Sequence, residues 1–364
     1  MTNKKGRDSN IELLRILTML GVVILHYNNP TIGKAFVFTE GIQVSYLILS
    51  FFESLCVGAV DVFMIISGYF MCKNSKRNII KPLELLIQTV IFSEAVYLVG
   101  ILNGNEITVK GMISHAIPAN YFVILYISVY FISPYINRLI NRLNEKQLKK
   151  MLLLLFIILS VYPTLVDFFS EITHREYMGL STIGAYGSQW GYTLVNFIFM
   201  YIIGAYLRNC STEYKKGKLL FFLTVDTLVL TVWSFADAKI GYSVERCAWE
   251  YCNPLVILSA ITVFLLFKQA NIGENKFINY IAKASFTVYL INIPLLKMFE
   301  IKKYATSNPL ALVLHMFVTA ICIYAVSTVV YYAYKVVTDC IFNHSLRKID
   351  YLSKDMYGDL LNEE

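Results

Sequence analysis

Residues 11–26 read IELLRILTMLGVVILH, an apolar run interrupted by Glu12 near its start, Arg15 in its first half and His26 at its end. Eleven positions separate Arg15 from His26. On an α-helix that interval is a rise of about 16 Å and a rotation that returns to within about 20° of its starting direction. One helix face therefore carries a permanent cation towards one end and a titratable imidazole towards the other. A run this long and apolar suits a bilayer, where ionisable side chains are costly and generally face a protein interior or a cavity. The pair has two readings at this point. It is either a functional site, or an arginine that snorkels to the interface beside a hydrogen-bonded packing histidine.

The rest of the chain has the same character. Of 364 residues, 57% are hydrophobic and 16% charged, and the mean hydropathy is +0.56. Soluble domains carry roughly 25% charged residues, so the composition specifies an integral membrane protein. The fold class expected is all-α, a polytopic membrane helical bundle. Ten apolar stretches are long enough to span, centred near Leu20, Val60, Ile91, Tyr130, Ile157, Phe199, Leu228, Ile261, Tyr289 and Ala325. The second, about Tyr46 to Met71, is long enough to tilt or kink, and the ninth, about Phe277 to Phe299, contains Pro294.

Loop charges orient these spans. Basic residues crowd alternate loops, as in Lys73, Lys76, Arg77 and Lys81, then Arg138, Arg142, Lys146, Lys149 and Lys150, then Lys215, Lys216 and Lys218. The intervening loops are poor in them, which puts both termini in the cytoplasm by the positive-inside rule. The same rule accounts for the +7 net charge without a nucleic-acid partner. Lys4, Lys5 and Arg7 before an apolar run superficially resemble a signal peptide, but no small-residue cleavage site follows, so the run is expected to be a retained first helix. A single membrane domain over 1–338 with a short charged cytoplasmic tail over 339–364 is expected, with no folded domain in the loops. The longest external stretch runs over about 168–189. No internal repeat stands out, which weighs slightly against a transporter of inverted halves.

Seven cysteines show no metal-ligand spacing with histidine, and no metal site is expected. Cys56, Cys72, Cys322 and Cys340 read as small hydrophobes in or beside apolar segments. Cys247 and Cys252 flank a predicted external loop and could bridge in an oxidising compartment. Neither a Gly-rich phosphate loop nor a GxSxG motif is present.

Further polar groups lie at membrane depth. GAVDVFMIISGYF carries Asp61, Ser67 and Gly68, with Asp61 and Gly68 seven apart on one face. Asp61 either orients or charge-balances His26 or Arg15, or forms a structural ion pair. Ser67 and Gly68 are residues that membrane helices favour at close contacts. Glu53 reads as an interfacial or supporting group. Glu84 and Gln88, one turn apart, either line a polar cavity or, for Glu84, sit at a solvated boundary. Asn292 and His315 have the character of helix–helix hydrogen-bonding residues.

These pieces together resemble the acyltransferase type 3 family of bacterial membrane acyltransferases, which includes O-acetyltransferases of surface polysaccharides. The resemblance rests on Arg-x10-His in RILTMLGVVILH (Arg15, His26), the preceding NIELLR, and DVFMIISGYF (Asp61 to Phe70). NYFVILYISVYFISPYIN (Asn120 to Asn137), GYTLVNFIFMYIIGAYLR (Gly191 to Arg208) and NYIAKASFTVYLIN (Asn279 to Asn292) extend it through most of the chain. It implies an enzyme of the bacterial cytoplasmic membrane with no permanently bound cofactor. The donor would be acetyl-CoA or another acyl-CoA held from the cytoplasmic side, and the acceptor a hydroxyl of a glycan or lipid-linked glycan. It marks His26 as the catalytic residue, either a base towards the acceptor hydroxyl or a carrier of the acyl group, and Arg15 as functionally required; Asp61 is the second catalytic candidate, and Arg15, helped by Arg77 or Lys81, is expected to hold the donor's phosphates. Glu53, Ser67, Glu84 and Asn292 are the supporting candidates. The chain departs from the family twice. The paired Arg-x-x-Arg after the second span is here a looser Lys76, Arg77, Lys81 cluster, and Asn292 stands where relatives commonly have histidine. The competing reading is a polytopic transporter or flippase of a glycan or lipid-linked substrate.

Overall fold

The computed structural model describes residues 8–74, 76–104, 106–175, 191–210, 212–240 and 247–352, the last from 340 onward and positions 171 and 240 by backbone alone. Lys4, Lys5, Arg7, most of the 168–189 stretch, Arg246 and the end of the charged tail lie outside the described residues. All regular structure among the described residues is helical. The ten expected segments correspond to α1 (Ser9–Asn28), α2 (Gln43–Met71), α3 (Ile80–Leu102), α4 (Val109–Arg142), α5 (Glu145–Ser170), α6 (Leu194–Asn209), α7 (Lys216–Lys239), α8 (Cys247–Lys268), α9 (Ser285–Leu296) and α10 (Pro309–Asp339).

Eight of these are long and apolar enough to cross a bilayer. The exceptions are α6, 16 residues long, and α9, 12 residues long. At 1.5 Å per residue α6 reaches only about 24 Å. The ninth stretch is not one uninterrupted helix, because a 3-10 turn at Ala282–Ala284 separates a short helix, Lys276–Ile281, from α9. That turn brings Lys283 to the same cavity as Arg15. The second segment is also broken, into Gln43–Cys56 and Ala59–Met71 around Val57 and Gly58. The helix of α10 continues to Leu352.

Lipid tails are as apolar as leucine, so helix pairing depends on close backbone approach and hydrogen bonds. Both operate where α6 packs along the second half of α2, the most extensive helix pair in the bundle. A Cβ on Gly68 would collide with the carbonyl of Tyr201, and one on Gly204 with the carbonyl of Ile65. Only glycine lets the two backbones come this close, reciprocally, at one crossing. The same interface holds Asp61, whose Oδ1 accepts from Asn196 Nδ2 at 3.3 Å. Asn196 is in turn placed by the N-cap of α6, where Thr193 Oγ1 accepts from the Asn196 backbone nitrogen. Helices α1, α2, α6 and α8 form the buried centre, while α3 and α5 lie at the edge with leucines such as Leu98 and Leu153 turned outward.

Candidate active site

Helix α1 builds the site by its period. Arg15, Met19, Val22 and His26 follow one another at intervals of four, three and four, which keeps them on one face. Two cavities open along this face. The inner one, about 330 Å³, is bounded on α1 by Arg15, Met19 and Val22. The outer one, about 400 Å³, is bounded on α1 by Val22, Leu25 and His26. Val22, Val60 of α2 and Tyr289 of α9 line both, so these three side chains form a waist between the cavities. The inner cavity lies at the Arg15 end of α1 and the outer one at the His26 end.

The inner cavity is cationic at its mouth and apolar above. Arg15 keeps a third of its side chain exposed and lies 3.4 Å from Glu12 Oε1, with its guanidinium 5.9 Å from the Phe70 ring centroid. Lys283, exposed on the 3-10 turn, supplies a second cation. Ser67 also lines this cavity, although its hydroxyl donates to the Phe63 carbonyl. An anionic group entering from below would meet a planar guanidinium fork and a mobile ammonium, which is a fair match to phosphate oxygens.

The outer cavity contains His26 together with two carboxylates, Glu53 and Glu250, and an aromatic wall that includes Tyr121, Tyr192, Trp249 and Tyr251. His26 Nδ1 lies 2.5 Å from Asn292 Oδ1. The direction of that bond follows from the rest of the asparagine. Asn292 Nδ2 donates to the carbonyls of Val288 and Tyr289, at 3.0 and 2.7 Å, so the amide oxygen must face the imidazole. An oxygen acceptor requires the proton on Nδ1. In the neutral ring the lone pair is then on Nε2, which has no hydrogen-bond partner among the described residues. With Nδ1–H anchored on Asn292, Nε2 carries the ring's remaining lone pair, the position a general base would use.

Several expected site residues stand elsewhere. Asp61 is fully buried between α2 and α6 with Asn196 as its hydrogen-bond partner, and lines neither cavity. Its carboxylate belongs to the helix crossing and is not brought to His26 or Arg15. Arg77 is occupied by the protein: Nε donates to Ser133 Oγ at 2.8 Å, Nη1 to the carbonyls of Asn74 and Lys76, and Nη2 to that of Met71. With its guanidinium 5.4 Å from the Tyr130 ring centroid, it organises the loop after α2. Lys81 and Glu84 are exposed and outside both cavities, while Gln88 donates to Thr287 Oγ1 at 2.8 Å. Glu53 lines the outer cavity as a half-buried group, accepting from Asn28 Nδ2 at 2.9 Å. His315 pairs with the Tyr27 hydroxyl and stacks on Tyr304, in keeping with a packing role. Cys247 and Cys252 are buried thiols, Cys247 Sγ donating to the Thr164 carbonyl and Cys252 Sγ to Glu250 Oε2. No group of three or more potential metal ligands occurs among the described residues.

Lys283, Tyr289, Glu250 and Trp249 are further lining residues of the two cavities. None has a local pattern that distinguishes it. No curated protein and no solved structure matches the chain. Residues 8–332, which include every residue named above as lining the two cavities, match the acyltransferase domain model, and the chain belongs to the acyltransferase type 3 family.

Proposed function

We propose that this membrane acyltransferase moves an acyl group, acetyl in the first instance, from acyl-CoA to a hydroxyl of a surface polysaccharide or its lipid-linked precursor, in the cytoplasmic membrane of a bacterium. The observation that carries this reading is the pair of cavities meeting at Val22, Val60 and Tyr289, one cationic and one built around His26. The donor's phosphates rest on Arg15 and Lys283. The thin pantetheine arm rises along the α1 face, about 10 Å from Arg15 to the level of Val22 and about 6 Å more to His26. The acceptor sugar enters the outer cavity, where aromatic faces and carboxylates suit a polyhydroxylated ring.

In the reaction, His26 Nε2 accepts the proton of the acceptor hydroxyl as its oxygen attacks the thioester carbon. The new C–O bond forms, the C–S bond breaks, and the proton passes from Nε2 to the departing thiolate. Asn292 holds the imidazole in the tautomer this needs. With donor and acceptor entering from opposite sides of the waist, both are held at once, and direct transfer requires no acyl-histidine.

The test is to incubate purified protein in lipid nanodiscs with radiolabelled acetyl-CoA and an acceptor glycan, and to compare the surface glycans of cells with and without the protein by mass spectrometry. Label in the glycan, and an acyl mass lost in the deletion strain, are the expected results. Counterflow of a glycan substrate without acyl transfer would overturn the reading in favour of transport.

A further inference from the structure

We propose that the waist and the cavity beyond it confine this protein to uncharged acyl groups and reject dicarboxylic ones such as succinyl or malonyl. The proposal rests on the acyl-CoA reading above and deepens it by naming the class of group transferred.

Three observations bear on it. The waist is apolar: Val22 and Val60 are each 4% exposed. Tyr289 contributes its ring, because its hydroxyl is held by Asn120 Oδ1 at 3.0 Å. That oxygen also caps the helix Tyr121–Arg142, and Phe122 packs against the Tyr289 ring at 5.3 Å, so the ring is held from two directions. Beyond the waist, Glu53 and Glu250 line the outer cavity, and no lysine or arginine is among its described lining residues. Below the waist the charges reverse, with Arg15 and Lys283 at the inner mouth.

An acyl chain ending in a carboxylate therefore meets three successive obstacles. It is attracted to the cations that also hold the phosphates and must leave them to advance. It must shed water between two valines and a tyrosine ring, with nothing there to accept its charge, which is costly for an ionised group. It then arrives in a cavity whose described lining offers two acidic side chains and no lysine or arginine to receive its charge. A neutral acyl group of the same length and cross-section passes all three without penalty. The filter acts on charge and leaves the CoA portion untouched, so a rejected donor still binds below the waist.

Butyryl-CoA and succinyl-CoA make the matched pair, since both carry four-carbon acyl groups and differ in the terminal carboxylate. With the full chain in nanodiscs, an acceptor glycan and acetyl-CoA as reference, kcat/KM for butyryl should exceed that for succinyl by at least about 100-fold. Succinyl-CoA should inhibit acetyl transfer competitively. Val60→Thr, which puts a hydroxyl at the waist, and Glu250→Gln, which removes one charge beyond it, should each narrow the butyryl-to-succinyl ratio. That ratio is internal to each variant and is insensitive to loss of folded protein.

Equal transfer of butyryl and succinyl overturns the filter. Transfer of acetyl alone, with butyryl as poor as succinyl, overturns it in favour of a size limit. A ratio unchanged in both variants removes it from these residues. If the unaltered protein transfers no acyl group from any acyl-CoA, the donor reading itself fails, and that outcome is distinct from all of these.

Discussion

The imidazole of His26 on the first helix and the amide of Asn292 on the ninth are joined by a hydrogen bond whose direction is set by the two backbone carbonyls that occupy the asparagine's NH2 group. The asparagine performs a task that a second titratable group would do differently. It holds one tautomer of His26 without contributing charge. Tyr289, whose carbonyl accepts one of those bonds, also forms part of the waist. The residue that orients the base and the residue that narrows the donor path thus share one helical turn.

Replacing Asn292 by Ala should lower kcat about 10–100-fold and leave the KM for acyl-CoA within about threefold, because a general base contributes about 10²–10⁴-fold and part of that survives in a mis-set tautomer. His26→Ala should lose the full contribution. Asn292→Asp keeps an acceptor oxygen towards Nδ1 and should recover much of the alanine variant's loss. Steady-state kinetics on detergent-purified protein reads all three. An Asn292→Ala enzyme with normal kcat would remove the orienting role.

The donor end predicts the opposite split. Arg15→Ala should raise the KM for acyl-CoA about 10–100-fold, the equivalent of about 1.5–3 kcal/mol for a hydrogen bond to a charged group, with a smaller change in kcat. Lys283→Ala should do the same to a lesser degree because the lysine is exposed, and both variants should flatten the salt dependence of KM. Arg15→Lys should recover little, since an ammonium lacks the fork. Comparing acetyl-CoA with acetyl-pantetheine, which lacks the nucleotide phosphates, isolates the effect. A loss of equal size with both donors would show that Arg15 acts elsewhere.

How far these residues could be recognised beforehand depends on whether a contact is local. Arg15 and His26 are related by the period of a single helix, so spacing alone puts them on one face. The spans are legible for a similar reason, since each must be apolar along its own length. Asp61 is different. Its type and depth suggested a partner for His26, but the partner is Asn196, 135 positions away, and only the packing of α6 on α2 selects it. Arg77 is a cation in the right region whose donors turned out to be absorbed by carbonyls of its own loop. Lys283 and Glu250 enter the cavities through irregular turns at helix ends, and hydropathy does not register such turns. Residue chemistry was readable throughout, whereas the allocation of partners required the tertiary arrangement.

Asp61 yields a direct test of that distinction. In Asp61→Asn the remaining oxygen can still accept from Asn196 Nδ2, and the amide takes the place of Oδ2, which has no hydrogen-bond partner among the described residues. The variant should keep kcat and KM within about threefold of the parent, in the range of a minor perturbation of one neutral hydrogen bond. Asp61→Ala, which strips Asn196 of its acceptor, should lower the yield of folded protein and its thermal stability. A drop in kcat for Asp61→Asn comparable to that of His26→Ala would return the carboxylate to the reaction.

The close crossing of α2 and α6 makes the last prediction, and its control lies within the same chain. Gly68→Ala and Gly204→Ala each place a methyl group against a backbone carbonyl, of Tyr201 and of Ile65. Backbone cannot swing aside as a side chain can, so the helices must separate. Overpacking of this kind costs about 1–3 kcal/mol, and here it also loosens the Asp61–Asn196 bond at the same interface. Gly217, near the start of α7, has nothing within 4 Å of where a Cβ would stand, so Gly217→Ala should be neutral or slightly stabilising by the helix preference for alanine. Thermal unfolding of the three variants in one detergent should give the order Gly217→Ala at or above the parent, then Gly68→Ala and Gly204→Ala well below it. Because Val60 lies on the same half of α2 as Gly68, a displaced α2 should also shift the waist, and the two crossing variants should lose transfer activity beyond their loss of folded protein. Parental stability in Gly204→Ala would falsify the close crossing.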